Sequence, residues 1–269
     1  MMTQTVMSRK EDMLAFAVDL AQKAALMALH GARDMEGVEV SMKSPTEVVT
    51  SIDRKLEEFI VESIARRYPG HGIVAEEDTS RGVGQSHTWF VDPLDGTNNF
   101  VRGIPFYGTS IALAIDGKPH LGVCALPVTG EIFWAQSGCG AFANGEKIRV
   151  SNTAFLKEAI VAVGLPVLQG GHTGPLERLV KLVPGVRGIR RLGSAALDFC
   201  LVASGRLDAL WEEGLKPWDV AAGAVILSEA GGVVTRVDGS RFDLYKGDVV
   251  GGNEAMNRSV LASFGVARW

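Results

Sequence analysis

Cysteine is scarce in this chain: Cys124, Cys139 and Cys200 are the only three in 269 residues. They are widely scattered and form no CxxC pair, which argues against a disulfide framework or a structural zinc site and leaves buried thiols as the ordinary reading. Histidine is equally dispersed, at His30, His71, His87, His120 and His172, and no HExxH or comparable imidazole cluster occurs. Positive charge is neither abundant nor concentrated. The formal net charge is -4 and no block of Lys and Arg is present, so binding to nucleic acid through phosphate neutralisation has no support and no nucleic-acid partner is expected. No uninterrupted apolar run approaches the roughly 20 residues of a membrane helix. The first residues, Met1 to Met13, also lack the apolar core of a secretory signal. A cytoplasmic protein without a membrane partner is therefore expected. What remains is an ordinary globular composition, 46% apolar and 22% charged, which excludes a disordered or fibrous chain.

The length suits one large domain or two intimately packed halves. Ser8 and Glu11 form a capping-box pattern ahead of Leu14, Val18, Ala21 and Ala25 at helical spacing, which predicts a first helix ending near Gly31. After Lys43, Ser44 and Pro45, a second helix is expected from about Asp53, with Leu56, Phe59, Ile60 and Ile64 on one face, until Pro69 and Gly70. The pattern then changes to short β-rich runs ending at Glu76, running from Thr88 to Asp92 and spanning Thr109 to Asp116. Asp116-Gly117, Thr129-Gly130 and Asn144-Gly145 punctuate them as turns, predicting an antiparallel sheet with hairpins. Beyond about Ala159, helices over Gly174–Val183, Ser194–Ser204, Pro217–Ala230 and Glu254–Phe264 alternate with strands around Val161, Ile189, Ala209, Val233 and Val249. This order implies a mixed α/β layered sandwich rather than a doubly wound sheet. The expected organisation is a single unit over residues 1–269, with pseudo-halves of about 1–155 and 156–269 meeting near Ser151 to Glu158.

The most informative segment is Trp89-Phe90-Val91-Asp92-Pro93-Leu94-Asp95-Gly96-Thr97-Asn98-Asn99-Phe100. An apolar strand runs directly into two aspartates, a glycine and a hydroxyl, and Pro93 fixes the backbone between the acids while Gly96 permits a tight turn or close approach of a ligand. Taken alone, Asp92 and Asp95 could simply cap a turn. Other acids shift that balance. Glu76 and Glu77 end the apolar run Gly72 to Ala75, and Asp219 follows Trp218 at the start of a helical segment. Carboxylates converging in one pocket repel unless protonated or neutralised, and a cation supplies the neutralisation. Oxygen donors without histidine or thiolate favour magnesium, manganese or calcium over zinc.

On these residues the chain resembles the inositol monophosphatase family of lithium-sensitive, magnesium-dependent phosphatases. The resemblance covers nearly the whole sequence and is carried by Phe90 to Phe100 together with Trp218-Asp219-Val220-Ala221-Ala222-Gly223, continuing to Ser228-Glu229-Ala230-Gly231-Gly232. It implies a five-layered αβαβα sandwich of the inositol monophosphatase and fructose-1,6-bisphosphatase type, usually a homodimer. It also implies two or three magnesium ions held by Glu76, Asp92, Asp95, Asp219 and the backbone carbonyl of Leu94, with Asp92 bridging two of them. Thr97 and Asp53 would join Glu76 in a catalytic hydrogen-bonded relay. On sequence alone Asp53 would instead be an N-cap, and Lys43 a solvated lysine. Substrate contacts would come from Asp92, Gly96, Thr97, Gly193, Ser194, Ala195, Glu212 and Asp219, with Glu213 an alternative to Glu212 and Ser194 otherwise a helix cap. Trp218 is expected to pack in the core.

The implied reaction is hydrolysis of a small phosphate monoester by a metal-activated water attacking in line, with no phospho-enzyme. The backbone N–H groups of Gly96 and Thr97 would receive the phosphate if Thr97 begins a short helix. Inositol monophosphate ranks first, since no nucleotide platform or basic pocket is evident between Gly164 and Arg191. Fructose 1,6-bisphosphate, histidinol phosphate and 3'-phosphoadenosine 5'-phosphate form the alternative group. An alternative of another class is a regulatory binding protein whose phosphatase site is vestigial, and a third is a calcium-stabilised sugar-binding module.

Overall fold

The computed structural model describes residues 2–77, 79–82, 84–165 and 173–266. Helix α1 (Met2–Arg33) leads through a hairpin of β1 (Val40–Met42) and β2 (Val48–Thr50) into α2 (Ser51–Arg67). Then follow β3 (Gly72–Ala75), β4 (His87–Asp95), the short α3 (Thr97–Val101), β5 (Gly108–Ile115), β6 (Lys118–Leu126), β7 (Glu131–Gln136), β8 (Gly140–Ala143) and β9 (Glu146–Lys147). Strands β3 to β9 form a seven-stranded sheet in sequence order. Its hairpins turn where expected: Asp116 and Asn144 adopt φ 50° and 49°, each followed by a glycine of positive φ, the two-residue geometry that matches strand twist. One strand departs from the antiparallel expectation. β3 lies parallel to β4, with Ala75 opposite Val91, so both strands end at the same edge and Glu76 arrives beside Asp92.

The second half supplies β10 (Ile160–Gly164), α4 (Gly174–Leu182), β11 (Gly188–Arg190), α5 (Ala195–Ala203), β12 (Ala209–Glu213), α6 (Pro217–Glu229), β13 (Val233–Thr235), β14 (Asp248–Gly252) and α7 (Glu254–Ser263). Its five-stranded sheet has the order β11-β10-β12-β14-β13, parallel among the first three and antiparallel at β14. Three apolar cores stack these elements. Leu20, Ala24, Leu56 and Ile60 of α1 and α2 meet Trp89, Val91 and Ile111 of the larger sheet. The opposite face of that sheet, with Phe90, Cys124 and Phe133, packs on Phe199, Val225 and Ile226 of α5 and α6, which also meet Leu210 of the second sheet. Beyond it, Trp211 and Val250 pack against Met256, Val260 and Phe264. Strand alternation sends neighbours to different cores, Phe90 between Trp89 and Val91, and Leu210 beside Trp211. The result is the αβαβα order expected from the sequence.

Several local expectations are corrected. α1 begins at Met2, so Ser8 lies within the helix rather than capping it; side chains before Met13 are outside the described residues. The segment Met13–Arg33 is, among the described residues, the one helix long and apolar enough by length and composition to cross a membrane. Its face of Met13, Ala17, Leu20, Ala21, Ala24 and Ala28 is buried in the first core, the amphipathic stripe of a core helix. α2 starts at Ser51, two residues before the expected Asp53, and is capped by Thr50. Asp53 closes a capping box with it instead of serving as the cap. Trp218 is only partly buried against the central core, and Cys139, unlike Cys124 and Cys200, is exposed.

Candidate active site

At residue spacing three, Asp92 and Asp95 would face opposite sides of a regular strand. The β4–β5 register shifts between them, where Pro93 offers no N–H to the ladder and its carbonyl accepts the Thr109 hydroxyl at 2.9 Å. The irregularity turns both aspartates into one cleft. Gly96 then takes φ 91° and starts α3; a Cβ there would fall 2.7 Å from the Phe106 carbonyl oxygen, so only glycine fits. The N–H groups of the first turn carry no intrahelical bond, and the first ones spent are those of Asn99 and Phe100 on the Gly96 carbonyl. Asp219 comes from the first turn of α6, its carboxylate accepting Lys216 N–H at 2.7 Å.

The cleft, about 550 Å³, is lined by Glu76, Asp92, Leu94, Asp95, Gly96, Thr97, Gly193, Ser194, Ala195, Glu212 and Asp219, so every site residue singled out in the sequence except Asp53 reaches it. Asp53 is fully buried beneath Thr97. Its Oδ2 accepts the Thr50 N–H and hydroxyl, and its Oδ1 accepts the Thr97 hydroxyl at 2.8 Å. The capping box and the Thr97 contact therefore use different oxygens of Asp53. The Thr97 hydroxyl also lies 3.0 Å from the Leu94 carbonyl, which keeps a second lone pair for another partner.

Protein donors engage most of the acids, and Glu76 and Asp92 lie within hydrogen-bond reach of each other. Lys43 Nζ donates to Glu76 Oε1 at 3.2 Å and to Glu77 Oε1 at 2.9 Å, which corrects the expectation of a solvated lysine. Asp92 Oδ1 accepts Leu94 N–H at 3.0 Å. Asp95 Oδ2 accepts the Ser194 hydroxyl at 2.6 Å and Ala196 N–H at 2.7 Å, while Ser194 Oγ caps α5 by accepting Leu197 N–H. No three His, Cys, Asp or Glu side chains among the described residues stand at ion-holding spacing, although the sequence led us to expect a converged ligand set.

Burial, then the charges of Glu76, Asp95 and Asp219, push Asp92 well above the carboxylate range. Burial pushes Glu76 up to about 7 against the opposing pull of Lys43. Asp219 is raised by burial and by Asp95, Glu76 and Glu212; Asp95 and Asp53 are raised by burial against their hydrogen bonds. For Lys43, burial works against the charge, but the Glu77 hydrogen bond and the two carboxylates hold it above its ordinary value. A crowd of buried oxygen donors, each resisting ionisation, with no imidazole or thiol on the lining among the described residues, fits a hard divalent cation.

The far wall carries the other expected contacts. Glu212 and Glu213 both line the cleft, and Glu213 also accepts from Arg178, at 2.9 and 3.1 Å, and from Trp211 Nε1. Arg191 also lines this wall, a basic residue where none was expected; residues 166–172 of that region lie outside the described ones. Asn99 Nδ2 ties α3 to this wall through the Leu192 carbonyl at 2.8 Å. Sequence reading missed Glu57, which holds the Glu76 turn, and Asp198, which faces Glu212. A lone acid in the otherwise apolar α5, AALDFCLVA, was the signal available for Asp198.

The family model described as the inositol monophosphatase family matches residues 9–265. An inositol-1-monophosphatase of Mesorhizobium japonicum is 40% identical over 251 residues, which cover 93% of this chain and 94% of that protein. A Nus factor SuhB of Pseudomonas aeruginosa is 37% identical over 259 residues, 94% of this chain and 96% of that protein. Among solved structures, the extragenic suppressor protein suhB from Bartonella henselae superposes with a TM-score of 0.90 at 38% identity, covering 94% of this chain and 98% of that one.

Proposed function

Because the chain belongs to the inositol monophosphatase family, we propose that it hydrolyses a small phosphate monoester with magnesium, inositol monophosphate ranking first as substrate. The observation that carries the reading is the single cleft in which Glu76, Asp92, Leu94, Asp95 and Asp219 meet the Thr97 hydroxyl on one side and the Glu212 wall on the other. Those four carboxylates and the Leu94 carbonyl would hold the ions. When bound, magnesium supplies charge neutralisation at the phosphoryl oxygens and acidifies water.

The remaining chemistry belongs to the chain. Thr97 Oγ1, donating to the buried Asp53 carboxylate, keeps its lone pairs for a water hydrogen and orients that water toward phosphorus. Asp53, raised by burial, stands behind Thr97 as the relay's acceptor. The water oxygen forms the new P–O bond as the P–O bond to the alcohol breaks. One water hydrogen ends on phosphate and the other on the leaving alcohol. The N–H groups at the start of α3 face the phosphate, and Ser194, Ala195 and Glu212 face the alcohol. Lithium inhibition and homodimeric assembly are further proposals resting on family membership alone.

Phosphate release tests the reading. Inositol 1-phosphate, fructose 1,6-bisphosphate, histidinol phosphate and 3'-phosphoadenosine 5'-phosphate are each assayed with magnesium and with chelator. Metal-dependent release with preference for inositol 1-phosphate is expected; release that ignores the chelator overturns the metal assignment. One finding favours a second reading, a regulatory binding role: the relative in Pseudomonas aeruginosa is named a Nus factor. A pull-down that retains one stoichiometric partner, with no turnover of any of the four phosphates, would put that reading first.

A further inference from the structure

The wall opposite the aspartates pairs Glu212 with a second acid, Asp198, that phosphate hydrolysis leaves without a task. Glu212, at the end of β12, is 4% exposed, and Asp198 of α5 is 1% exposed. Their carboxyls lie within hydrogen-bond reach of each other. Asp198 Oδ1 is buried and meets no donor among the described residues. Two ionised carboxylates in that contact repel, whereas a single hydrogen between them gives each a partner. The backbone is shaped around the pair: Gly164 stands opposite Glu212 in the β10–β12 ladder, and a Cβ on it would fall 1.5 Å from Glu212 Oε2. The Glu212 carboxyl thus lies against the bare end of β10.

The charged groups acting on the pair are Asp95, Asp219 and Arg191. Burial pushes Asp198 up to about 7, and burial followed by the charge of Asp198 pushes Glu212 well above the carboxylate range. The guanidinium of Arg191, anchored on the Leu165 carbonyl at 3.2 Å, offsets part of one negative charge and not two.

We propose that Asp198 is a positioning residue for polyol recognition, holding one hydrogen in common with Glu212 so that Glu212 is fixed at the cleft wall with an oxygen free for a substrate hydroxyl. The inference rests on the phosphatase reading above and names the residue that holds its polyol-facing carboxylate in place. A pair that keeps one negative charge accepts hydroxyl hydrogens from the substrate.

The test compares wild type, Asp198→Leu, Asp198→Asn and Gly164→Ala on inositol 1-phosphate and on 4-nitrophenyl phosphate, which offers no hydroxyl to the pair. Leu is of similar size and offers Glu212 no partner, whereas Asn replaces the shared hydrogen with an N–H that still donates to Glu212; the added methyl of Gly164→Ala displaces the Glu212 carboxyl without touching its charge. Asp198→Leu and Gly164→Ala are expected to raise KM for inositol 1-phosphate about ten-fold, with KM for 4-nitrophenyl phosphate unmoved and kcat altered less than about two-fold, and Asp198→Asn to keep KM near that of wild type. An equal change for both substrates in Asp198→Leu or Gly164→Ala, or none in either, overturns the proposal. Infrared difference spectra, wild type minus Asp198→Asn with magnesium present near neutral pH, read the pair without turnover. A protonated-carboxyl band lost in the variant is expected, and its absence overturns the shared hydrogen whatever the substrate. If wild type cleaves 4-nitrophenyl phosphate and no polyol phosphate, the substrate reading fails and the recognition role falls with it, while the infrared band still reports on the pair.

Discussion

Asp92 is the acid on which most of the cleft's repulsion falls, being 2% exposed and facing Glu76, Asp95 and Asp219. Asp92→Asn removes one of those charges and keeps a carbonyl oxygen that can accept Leu94 N–H. Turnover is expected to fall more than about 100-fold, since even outer-shell partners of a metal site cost 10–100-fold. The thermal midpoint in chelator should stay level or rise. Phosphate release and a melting curve check both, and wild-type turnover would remove Asp92 from the ligand set. Thr97→Ala acts differently. It leaves the buried Asp53 Oδ1 without its hydroxyl partner and should lower kcat about 10²-fold, the usual worth of a positioned proton-transfer group. A rise in KM at constant kcat would show that Thr97 only binds.

Two contacts between elements decide whether these residues meet at all. Glu57 of α2, 1% exposed, accepts Glu77 N–H at 2.6 Å, Thr79 N–H at 3.2 Å and the Thr79 hydroxyl, and so clamps the turn that carries Glu76. A Gln in its place has one acceptor oxygen for these donors and turns its NH₂ on the others. Glu57→Gln is expected to raise the magnesium concentration for half-maximal activity about ten-fold while saturating magnesium restores kcat; a magnesium titration checks it. On the other face of the sheet, α6 lies so close to β6 that a Cβ on Gly122 would stand 2.5 Å from the Ala222 carbonyl oxygen and 2.6 Å from its Cα. Backbone cannot yield as a side chain can. Gly122→Ala should cost about 1–3 kcal/mol by overpacking, read from the urea midpoint.

Across the whole molecule the cleft lies where the two sheets share the α5–α6 layer, with Asp95 from the first half bonded to Ser194 of the second. The assembled site therefore concentrates acids that neither half would bring together, and stability acquires a pH dependence. Each acid raised by burial contributes stability in its protonated form, fully present below the unfolded value of about 4 and lost as pH rises through the folded value, about 7 for Glu76. Magnesium needs the deprotonated oxygens. The gap in thermal midpoint between magnesium and chelator should therefore be small at about pH 5 and widen toward about pH 8. A gap independent of pH would detach these carboxylates from ion binding.

Much of this was legible in local pattern. The spacing of Leu56, Ile60 and Ile64 marks the buried face of α2, the Asp116-Gly117 and Asn144-Gly145 pairs mark hairpins, and the run from Trp89 to Asp95 places acids at a strand end, because helix period, turn chemistry and strand alternation are properties of neighbouring residues. What could not be read is which distant group each acid meets. Lys43 reaches Glu76 across 33 positions and Ser194 reaches Asp95 across 99; β3 runs parallel to β4 only because of how the intervening chain returns. Sequence determined the elements, their apolar faces and the carboxylates at strand and helix ends. Packing alone decided that Lys43 is an ion-pair partner, that Asp53 both closes the capping box and accepts the Thr97 hydroxyl, and that Asp198 stands against Glu212, since long-range pairing depends on where three stacked cores bring those elements to rest.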